Sequence, residues 1–252
     1  MGYAIAIEGI DGAGKHTVCE NLKKMIEVFT DDVELISFPQ HNEISASLVD
    51  AFLYKDLKFT GSDFDKAVVE SLLYSIDRLV TLNKYNKDLK MSYNEKYNSS
   101  NSIFIFDRYM YSNFIHRCNK LNQNEFQAFE NKMKRIEYGE MKIIKPDALF
   151  FLNIEPEIAY KNIEKRGRQK DHNENLANLK IASNNVKEVQ KMNLSSYLIN
   201  VNSEKNDSGM LTPEEISMTI FKILLRDDQF IDIFDFNRVF NMLNILNKKE
   251  ME

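Results

Sequence analysis

Short continuous apolar runs alternate with longer amphipathic runs along most of the chain. Continuous apolar runs are typical of strands that are buried on both faces of a parallel sheet. The five runs are Tyr3–Ile7, Val33–Phe38, Ile103–Phe106, Ala148–Leu152 and Tyr197–Val201. Between them, apolar residues recur at three- and four-residue spacing, which predicts helices. The clearest helical segments are 43–55, 64–83, 156–166, 174–192 and 213–225. The alternation predicts an α/β fold with a five-stranded parallel sheet and helices on both faces.

The pattern predicts one main domain and a short extension. Residues 1–225 hold all five apolar runs, and a chain of 252 residues that is 43% hydrophobic can bury a substantial core. Residues 84–102 are polar and predict a surface insertion. Residues 226–252 carry apolar positions at helical spacing. We therefore expect a C-terminal helical extension that covers the protein's own body or a partner.

Charge and composition exclude several classes of protein. The formal net charge is -5, so the basic surface that sequence-independent nucleic-acid binding requires is missing. No apolar stretch approaches the roughly 18 residues of a membrane span, and the first strand begins too early for a signal peptide. Cys19 and Cys118 lack metal-ligand spacing and are too few for a disulfide framework. We expect free thiols in a cytoplasmic protein.

A glycine-rich loop lies between the first predicted strand and an amphipathic helix. Gly9 and Gly14-Lys15 have the spacing of the phosphate-binding P-loop. In such a loop, backbone N–H groups and the positive end of the helix surround phosphate oxygens, and the lysine reaches the outer phosphates. A glycine-rich turn without a ligand is the alternative, but the order of strand, loop, lysine and helix favours a phosphate site. His16 stands where the pattern has a Mg²⁺-binding Ser or Thr, and Thr17 follows.

Other candidate residues follow the strands, because ligands of parallel α/β sheets bind beyond the carboxyl ends of the strands. The segments expected to converge are Gly9–Thr17, Phe38–His41, Asp107–His116, Asn153–Pro156 and Asn200–Ser203. Asp107 ends a buried strand, where it can organise a metal ion directly or through water, or can cap the next helix. Arg108 beside it suits a phosphate. Residues 166–174 predict a cationic lid or a solvated basic loop.

Two pairs of side chains lie on helices near this edge. Tyr74 and Arg78 are four residues apart and share a helix face, although a plain core tyrosine is a real alternative. Asn113 and His116 are three apart on the helix that follows Arg108. A single histidine on a helix is usually a packing or surface residue. This pair is a site candidate only because it follows Arg108, which is expected to face the site.

Several ordered motifs make the chain resemble the thymidylate (dTMP) kinase family of P-loop nucleoside monophosphate kinases. The resemblance runs from residue 3 to about residue 225. It rests on these segments: Glu8–Lys15, Phe38-Pro39, Ser71–Arg78, Asp107-Arg108-Tyr109 with Ser112-Asn113, Pro146–Leu152 and Lys170–Glu174. The resemblance implies transfer of the γ-phosphoryl group of ATP to dTMP, with Mg²⁺, in a homodimer.

The resemblance also implies roles for individual residues. Asp11 would hold the acceptor sugar's 3′-hydroxyl, and Arg108 would grip the dTMP phosphate. His116 falls where some members carry Tyr, near the sugar, and is expected to help exclude a 2′-hydroxyl. The base would be recognised by a stacking Tyr74, an edge-binding Arg78 and the pocket residues Phe38, Ser112 and Asn113, with His41 near the acceptor phosphate. ATP would be bound by Gly9, Gly12, Ala13, Gly14, Lys15, His16 and Thr17.

Position 12 bears on catalysis. Some members carry an arginine there that reaches the transferring phosphoryl group, whereas this chain has Gly12. The resemblance therefore implies that Arg166 and Arg168 of the lid supply that cation, alongside Lys15, Asp107 and Arg108. Two other functions stay open at this stage. One is a kinase of another nucleoside monophosphate or of a deoxynucleoside, and the other is a P-loop regulatory module without transfer activity, which His16 favours.

Overall fold

The core of the protein is a sheet of five parallel strands. The computed structural model describes residues 1–41, 43–55, 57–118, 120–167, 174–193, 196–204, 206 and 208–234. The strands are β1 (Tyr3–Gly9), β2 (Val33–Ser37), β3 (Ile103–Asp107), β4 (Ala148–Asn153) and β5 (Tyr197–Asn200), in the order β2-β3-β1-β4-β5. Each pair of neighbours is parallel. The predicted strands and fold class are confirmed.

Helices flank the sheet, and all the clearest predicted helical segments are helical in the structure. They are α1 (Lys15–Glu27), α2 (Ser47–Tyr54), α3 (Asp63–Asn83), α4 (Tyr93–Ser99), α5 (Tyr111–Arg117), α6 (Gln123–Lys134), α7 (Pro156–Lys165), α8 (Leu176–Met192), α9 (Pro213–Leu224) and α10 (Asp228–Ile231). A 3-10 turn at Ile44–Ala46 precedes α2, and α6 continues into a π-helical segment, Arg135–Glu140. Among the described residues, no helix has both the length and the apolar character that crossing a membrane requires.

The buried strands explain the continuous apolar runs. Every residue of β1 and β3 is buried. On β3, Phe106 stacks on Tyr109 with ring centroids 4.4 Å apart, and Phe104 lies beside Phe106. Because both sheet faces are covered, polar alternation is absent from these strands. The sheet therefore forms a rigid base under the loops at its carboxyl edge.

Residues 84–102 hold more structure than their polar composition predicts. Ser92 and Glu95 form a capping box that starts α4. On this helix Tyr97 is buried, with its ring 5.8 Å from that of Phe104 and its hydroxyl donating to Asp147 at 3.1 Å. A single buried residue in a polar helix produces no hydrophobic period, so the sequence pattern did not reveal it.

The described part of the C-terminal extension covers the protein's own core. Phe230 on α10 is fully buried, and its ring lies 5.3 Å from that of Tyr3. The Tyr3 hydroxyl donates to Asp227 Oδ2 at 2.5 Å, which fixes α10 near the start of β1. The rest of the expected extension, 235–252, lies outside the described residues.

Candidate active site

The P-loop connects β1 to α1 and holds its lysine close to the loop backbone. Gly14 adopts a left-handed conformation with φ of 79°, and α1 begins at the next residue. Lys15 Nζ donates to the carbonyl oxygens of Gly9 at 2.9 Å and Ile10 at 2.7 Å. Burial, assisted by the Arg108 charge, lowers the pKa of Lys15 to about 7. Binding of anionic groups beside Lys15 would raise its pKa again, so the amine would take up a proton.

Gly12 has no space for a side chain. Its φ is 84°, and a Cβ atom at this position would lie 2.2 Å from the carbonyl oxygen of Ala159 on α7. In addition, Asn162 Nδ2 on α7 donates to the Gly12 carbonyl at 3.0 Å. Backbone packing of α7 therefore explains why this loop position carries glycine and cannot carry an arginine without a shift of the helix.

A cavity of about 460 Å³ opens beside the P-loop at the carboxyl ends of β1, β2 and β3. Its size is in the range of small-molecule sites. The predicted site residues in its lining are Asp11, Gly14, Lys15, His16, Thr17, Phe38, His41, Tyr74, Arg78, Asp107, Arg108, Ser112, Asn113, His116 and Arg166. Gly9, Gly12 and Ala13 belong to the adjoining loop, and Arg168 lies outside the described residues.

The segments after β4 and β5 take a different position from the one expected. Among the described residues that line the cavity, none comes from Asn153–Pro156 or Asn200–Ser203. These two segments contact each other instead, since the Glu155 N–H donates to Asn202 Oδ1 at 2.9 Å. The convergence at the cavity therefore involves three of the five strands.

An ion pair between Asp11 and Arg108 lies in the cavity wall. Arg108 has a positive φ of 66°, which is uncommon for a non-glycine residue and typical of functional positions. Arg108 Nη2 donates to Asp11 Oδ1. Burial raises the pKa of Asp11, but nearby positive charge, that of Arg108 first, outweighs burial and holds the pKa well below its usual range. The Asp11 carboxylate is therefore ionised and paired.

His116 faces the same carboxylate from α5. Its Nε2 lies 4.0 Å from Asp11 Oδ2. Burial lowers the pKa of His116 to about 3, although the Asp11 charge acts in the opposite direction. The imidazole is therefore neutral at physiological pH and forms a dipole, rather than a charge, beside Asp11.

Asp107 is held by two side chains at the end of β3. Its Oδ2 accepts from Ser37 Oγ at 3.2 Å and lies 3.1 Å from His16 Nδ1. His16 therefore contacts the aspartate from the position after Lys15, while its Nε2 lies 3.6 Å from Glu20 Oε1. Among the described residues, no group of three or more His, Cys, Asp and Glu side chains could hold a metal ion. A single carboxylate at a P-loop does fit Mg²⁺, which is usually held by one or two carboxylates, substrate phosphates and water.

Arg78 is buried and pairs with Glu137. Its Nε donates to Glu137 Oε2 at 3.0 Å and its Nη2 to Oε1 at 2.5 Å. Ser75 Oγ also donates to Glu137 Oε1, at 2.7 Å. Burial lowers the pKa of Arg78, but Glu137 outweighs burial and the pKa is raised. The guanidinium is therefore fixed at the cavity wall, and its expected contact with a base edge stays a prediction.

Arg117 is a cavity residue that the sequence analysis missed. Its Nη2 donates to the Tyr74 hydroxyl at 2.8 Å, and its guanidinium carbon lies 4.8 Å from the Phe52 ring centroid and 5.5 Å from that of Tyr74. Nothing in the sequence marks an arginine at the end of a helix as an aromatic contact. The structure places it where it orients the Tyr74 ring.

Glu8 is a second missed residue. It lies at the end of β1, where it is fully buried and accepts from Ser112 Oγ at 2.6 Å. The backbone N–H groups of Tyr109 and Ser112 donate to its other oxygen at 3.0 and 3.1 Å. Burial raises the pKa of Glu8. These bonds hold the turn that presents Arg108, so the expected base-pocket residue Ser112 also supports this turn.

His41 and Asn113 complete the cavity. His41 Nδ1 lies 2.5 Å from Asp50 Oδ1 on α2. Asn113 is buried, and among the described atoms its Nδ2 has no hydrogen-bond partner. The amide nitrogen is thus a buried donor beside the cavity.

Comparison with known proteins identifies the family. A family model described as thymidylate kinase matches residues 7–208. This chain belongs to the thymidylate kinase family. It is 26% identical over 181 residues to a thymidylate kinase of Mycobacterium tuberculosis, covering 69% of this chain and 79% of that one. A thymidylate kinase of Leptospira interrogans is 25% identical over 208 residues, covering 82% of this chain and 89% of its own length.

The fold of a solved thymidylate kinase is also similar. The structure of the enzyme from Candida albicans matches with a TM-score of 0.59 and 17% identity, covering 91% of this chain and 93% of that chain. This match supports the five-stranded P-loop fold. The expected resemblance to thymidylate kinases is thus confirmed for the family and for the fold.

Proposed function

We propose that this protein is an active thymidylate kinase, which transfers the γ-phosphoryl group of ATP to dTMP and yields ADP and dTDP. The observation that carries the proposal is the position of the Asp11–Arg108 pair in the same cavity as the P-loop lysine. A carboxylate suits a sugar hydroxyl and an arginine suits a phosphate, so an acceptor nucleotide fits beside the donor phosphates.

On the donor side, the loop Gly9–Thr17 would surround the ATP phosphates with backbone N–H groups, and Lys15 would reach the outer phosphates. Asp107 would hold Mg²⁺ together with the phosphates and water, and His16 positions this carboxylate. The bound ion would neutralise charge on the transferring phosphoryl group.

On the acceptor side, Arg108 would bind the dTMP phosphate and Asp11 the 3′-hydroxyl. Tyr74, oriented by Arg117, would stack on the base. The remaining pocket residues would be Phe38, His41, Arg78, Ser112, Asn113 and His116. The attacking oxygen belongs to an ionised phosphate, so alignment of the reactants replaces a strong general base.

The cation for the transition state would come from Arg166 and Arg168. Arg166 lies in the cavity lining directly after α7. Gly12 supports this assignment, because α7 leaves no space for a side chain at that loop position. A positive charge at the transferring phosphoryl group is worth several orders of magnitude in rate in related reactions.

We also propose a homodimer formed through α3. Val69, Ile76 and Val80 share one face of α3 and are 37%, 40% and 41% exposed. An apolar stripe of this kind on a charged protein fits a second copy of the same helix. Ile76→Glu should give a monomer in sedimentation velocity, whereas the polar substitution Glu20→Gln on α1 should leave a dimer.

The two buried free thiols, Cys19 and Cys118, agree with a cytoplasmic protein.

A coupled ADP-release assay with ATP and Mg²⁺ tests the reaction. The acceptors are dTMP, dUMP, dGMP and thymidine, with an acceptor-free control. We expect the highest kcat/KM for dTMP and a large loss in Asp11→Asn. Phosphorylation of thymidine but not dTMP would identify a deoxynucleoside kinase. ATP binding without dTDP at any Mg²⁺ concentration would identify a binding module.

A further inference from the structure

His16 has a carboxylate beside each of its two ring nitrogens. Its Nδ1 lies 3.1 Å from Asp107 Oδ2, and its Nε2 lies 3.6 Å from Glu20 Oε1, one helical turn further along α1. A carboxylate can only accept a hydrogen bond, so the contact with Asp107 places a proton on Nδ1. A neutral imidazole then directs its Nε2 lone pair at a second carboxylate, and these two atoms repel each other unless a positive group lies between them.

The distance between His16 Nε2 and Glu20 Oε1 selects the kind of positive group. Zn²⁺ binds imidazole nitrogen and carboxylate oxygen at about 2.0–2.2 Å, so two such ligands of a tetrahedral ion are about 3.4 Å apart. The observed separation is 3.6 Å, and a small rotation of either side chain completes the geometry. Neighbouring ligands of an octahedral Mg²⁺ are only about 2.9 Å apart. Imidazole is also a ligand that suits Zn²⁺ better than Mg²⁺.

Asp107 provides the outer contact that metal-binding histidines usually have. Such a histidine donates its other ring N–H to a carboxylate, which fixes the tautomer and makes the metal-binding nitrogen more basic. Asp107 takes this place at His16 Nδ1, and Ser37 Oγ donates to the same carboxylate oxygen at 3.2 Å. The imidazole ring is thus oriented with Nε2 directed away from the sheet edge and towards Glu20.

Both side chains of the pair are open to solvent. The side chains of His16 and Glu20 are 64% and 48% exposed, so an ion in solution can reach the space between them. A second exposed histidine provides a contrast, because His41 Nδ1 lies 2.5 Å from Asp50 Oδ1 and this direct contact leaves no space for an ion.

We propose that His16 Nε2 and Glu20 Oε1 form a site for Zn²⁺ or another divalent transition-metal ion with tetrahedral geometry at the start of α1. Water would fill the other two positions, because no group of three or more possible ligands occurs in the described ranges of the chain. The site is separate from the Mg²⁺ that ATP would bring. It does not depend on the proposed function, because both ligands are in place without a nucleotide.

Calorimetric titration of the full-length, nucleotide-free protein with Zn²⁺ tests the site. His16→Gln and Glu20→Gln each remove one ligand and keep a polar side chain at an exposed position, and His41→Gln is the matched control. We expect wild type and His41→Gln to bind Zn²⁺ at micromolar concentrations, with a dissociation constant that millimolar Mg²⁺ does not change. Asp107→Asn should weaken binding by roughly 10- to 100-fold, the usual effect of losing an outer contact. Loss of either ligand should weaken it at least as much.

Nuclear magnetic resonance of isotope-labelled histidine identifies the atom that binds. Zn²⁺ should shift the Nε2 resonance of His16 and leave the proton on Nδ1. The inference is overturned if wild type does not bind Zn²⁺ at these concentrations, or if His16→Gln or Glu20→Gln binds it with the wild-type dissociation constant. Displacement of Zn²⁺ by millimolar Mg²⁺ would also overturn it, because both ions would then compete for one site built from oxygen ligands.

Discussion

The buried pair of Arg78 and Glu137 provides a prediction whose size follows from the structure. Glu137→Gln keeps the shape of the side chain but leaves Arg78 without its counter-charge. The two side chains are 2% and 0% exposed. Removing one partner of a buried ion pair costs about 3–5 kcal/mol. At about 2–4 °C per kcal/mol for a protein of this size, the melting temperature should fall by roughly 6–20 °C.

A double variant separates charge balance from packing. Arg78→Met with Glu137→Met removes both charges and keeps apolar volume, so its stability should lie close to that of wild type. Ser75 Oγ keeps a partner in this variant, because it also donates to the Ser71 carbonyl at 3.0 Å. Thermal unfolding of the nucleotide-free protein, followed by circular dichroism, measures all three proteins.

The outcomes test two different statements. A double variant that melts as low as Glu137→Gln would refute the argument from an uncompensated charge. If the double variant is stable, its KM for dTMP reports on the base. An increase of tenfold or more supports the expected edge contact of Arg78, whereas an unchanged KM shows that Arg78 is structural.

Three further predictions concern the P-loop and the expected lid. Arg166→Ala should lower kcat by about 10²-fold or more at an unchanged melting temperature; near-normal turnover in this variant, in Arg168→Ala and in the double variant would refute the lid assignment. Gly12→Ala should lower the melting temperature and raise the KM for ATP, because its Cβ would lie 2.2 Å from the Ala159 carbonyl oxygen. An unchanged melting temperature and KM would show that α7 shifts without cost. ATP binding at pH 8 should take up a proton, because the pKa of about 7 leaves Lys15 mostly neutral there and phosphates favour its charged form. Calorimetry in buffers of different ionisation enthalpy measures the uptake, Lys15→Arg should bind without it, and absence of uptake in wild type would contradict the reasoning.

The parts of the fold that local sequence determines were predictable. The runs Tyr3–Ile7 and Ile103–Phe106 are apolar because both sheet faces are covered, and this requirement leaves a local signature. The helix start at Thr212-Pro213 follows from a capping box, which is also local. The place of the cavity followed from topology for three of the five strands, since the segments after β1, β2 and β3 meet at one edge of the sheet.

The missing parts depend on contacts between distant segments. Glu137 reaches Arg78 from the π-helical segment that follows α6. No pattern along α6 predicts that the helix changes from α to π geometry at this point. Glu8 lies in a strand, where its carboxylate would be expected to avoid burial, and its three N–H and O–H donors come from residues about 100 positions later. Such pairings arise from the tertiary fold, so a single sequence carries no signal for them.

The close contact between Gly12 and α7 has a consequence for how this enzyme can change. The Ala159 carbonyl fills the space that any side chain at position 12 would need, and Asn162 ties the two backbones together. A single substitution therefore cannot place an arginine in the loop in its present conformation. Moving that charge into the loop would require at least two coordinated changes, one in the loop and one that relocates the first turns of α7. If the lid supplies the cation, as we propose, either change alone would disturb the packing of the P-loop against α7, and the two changes would have to occur together.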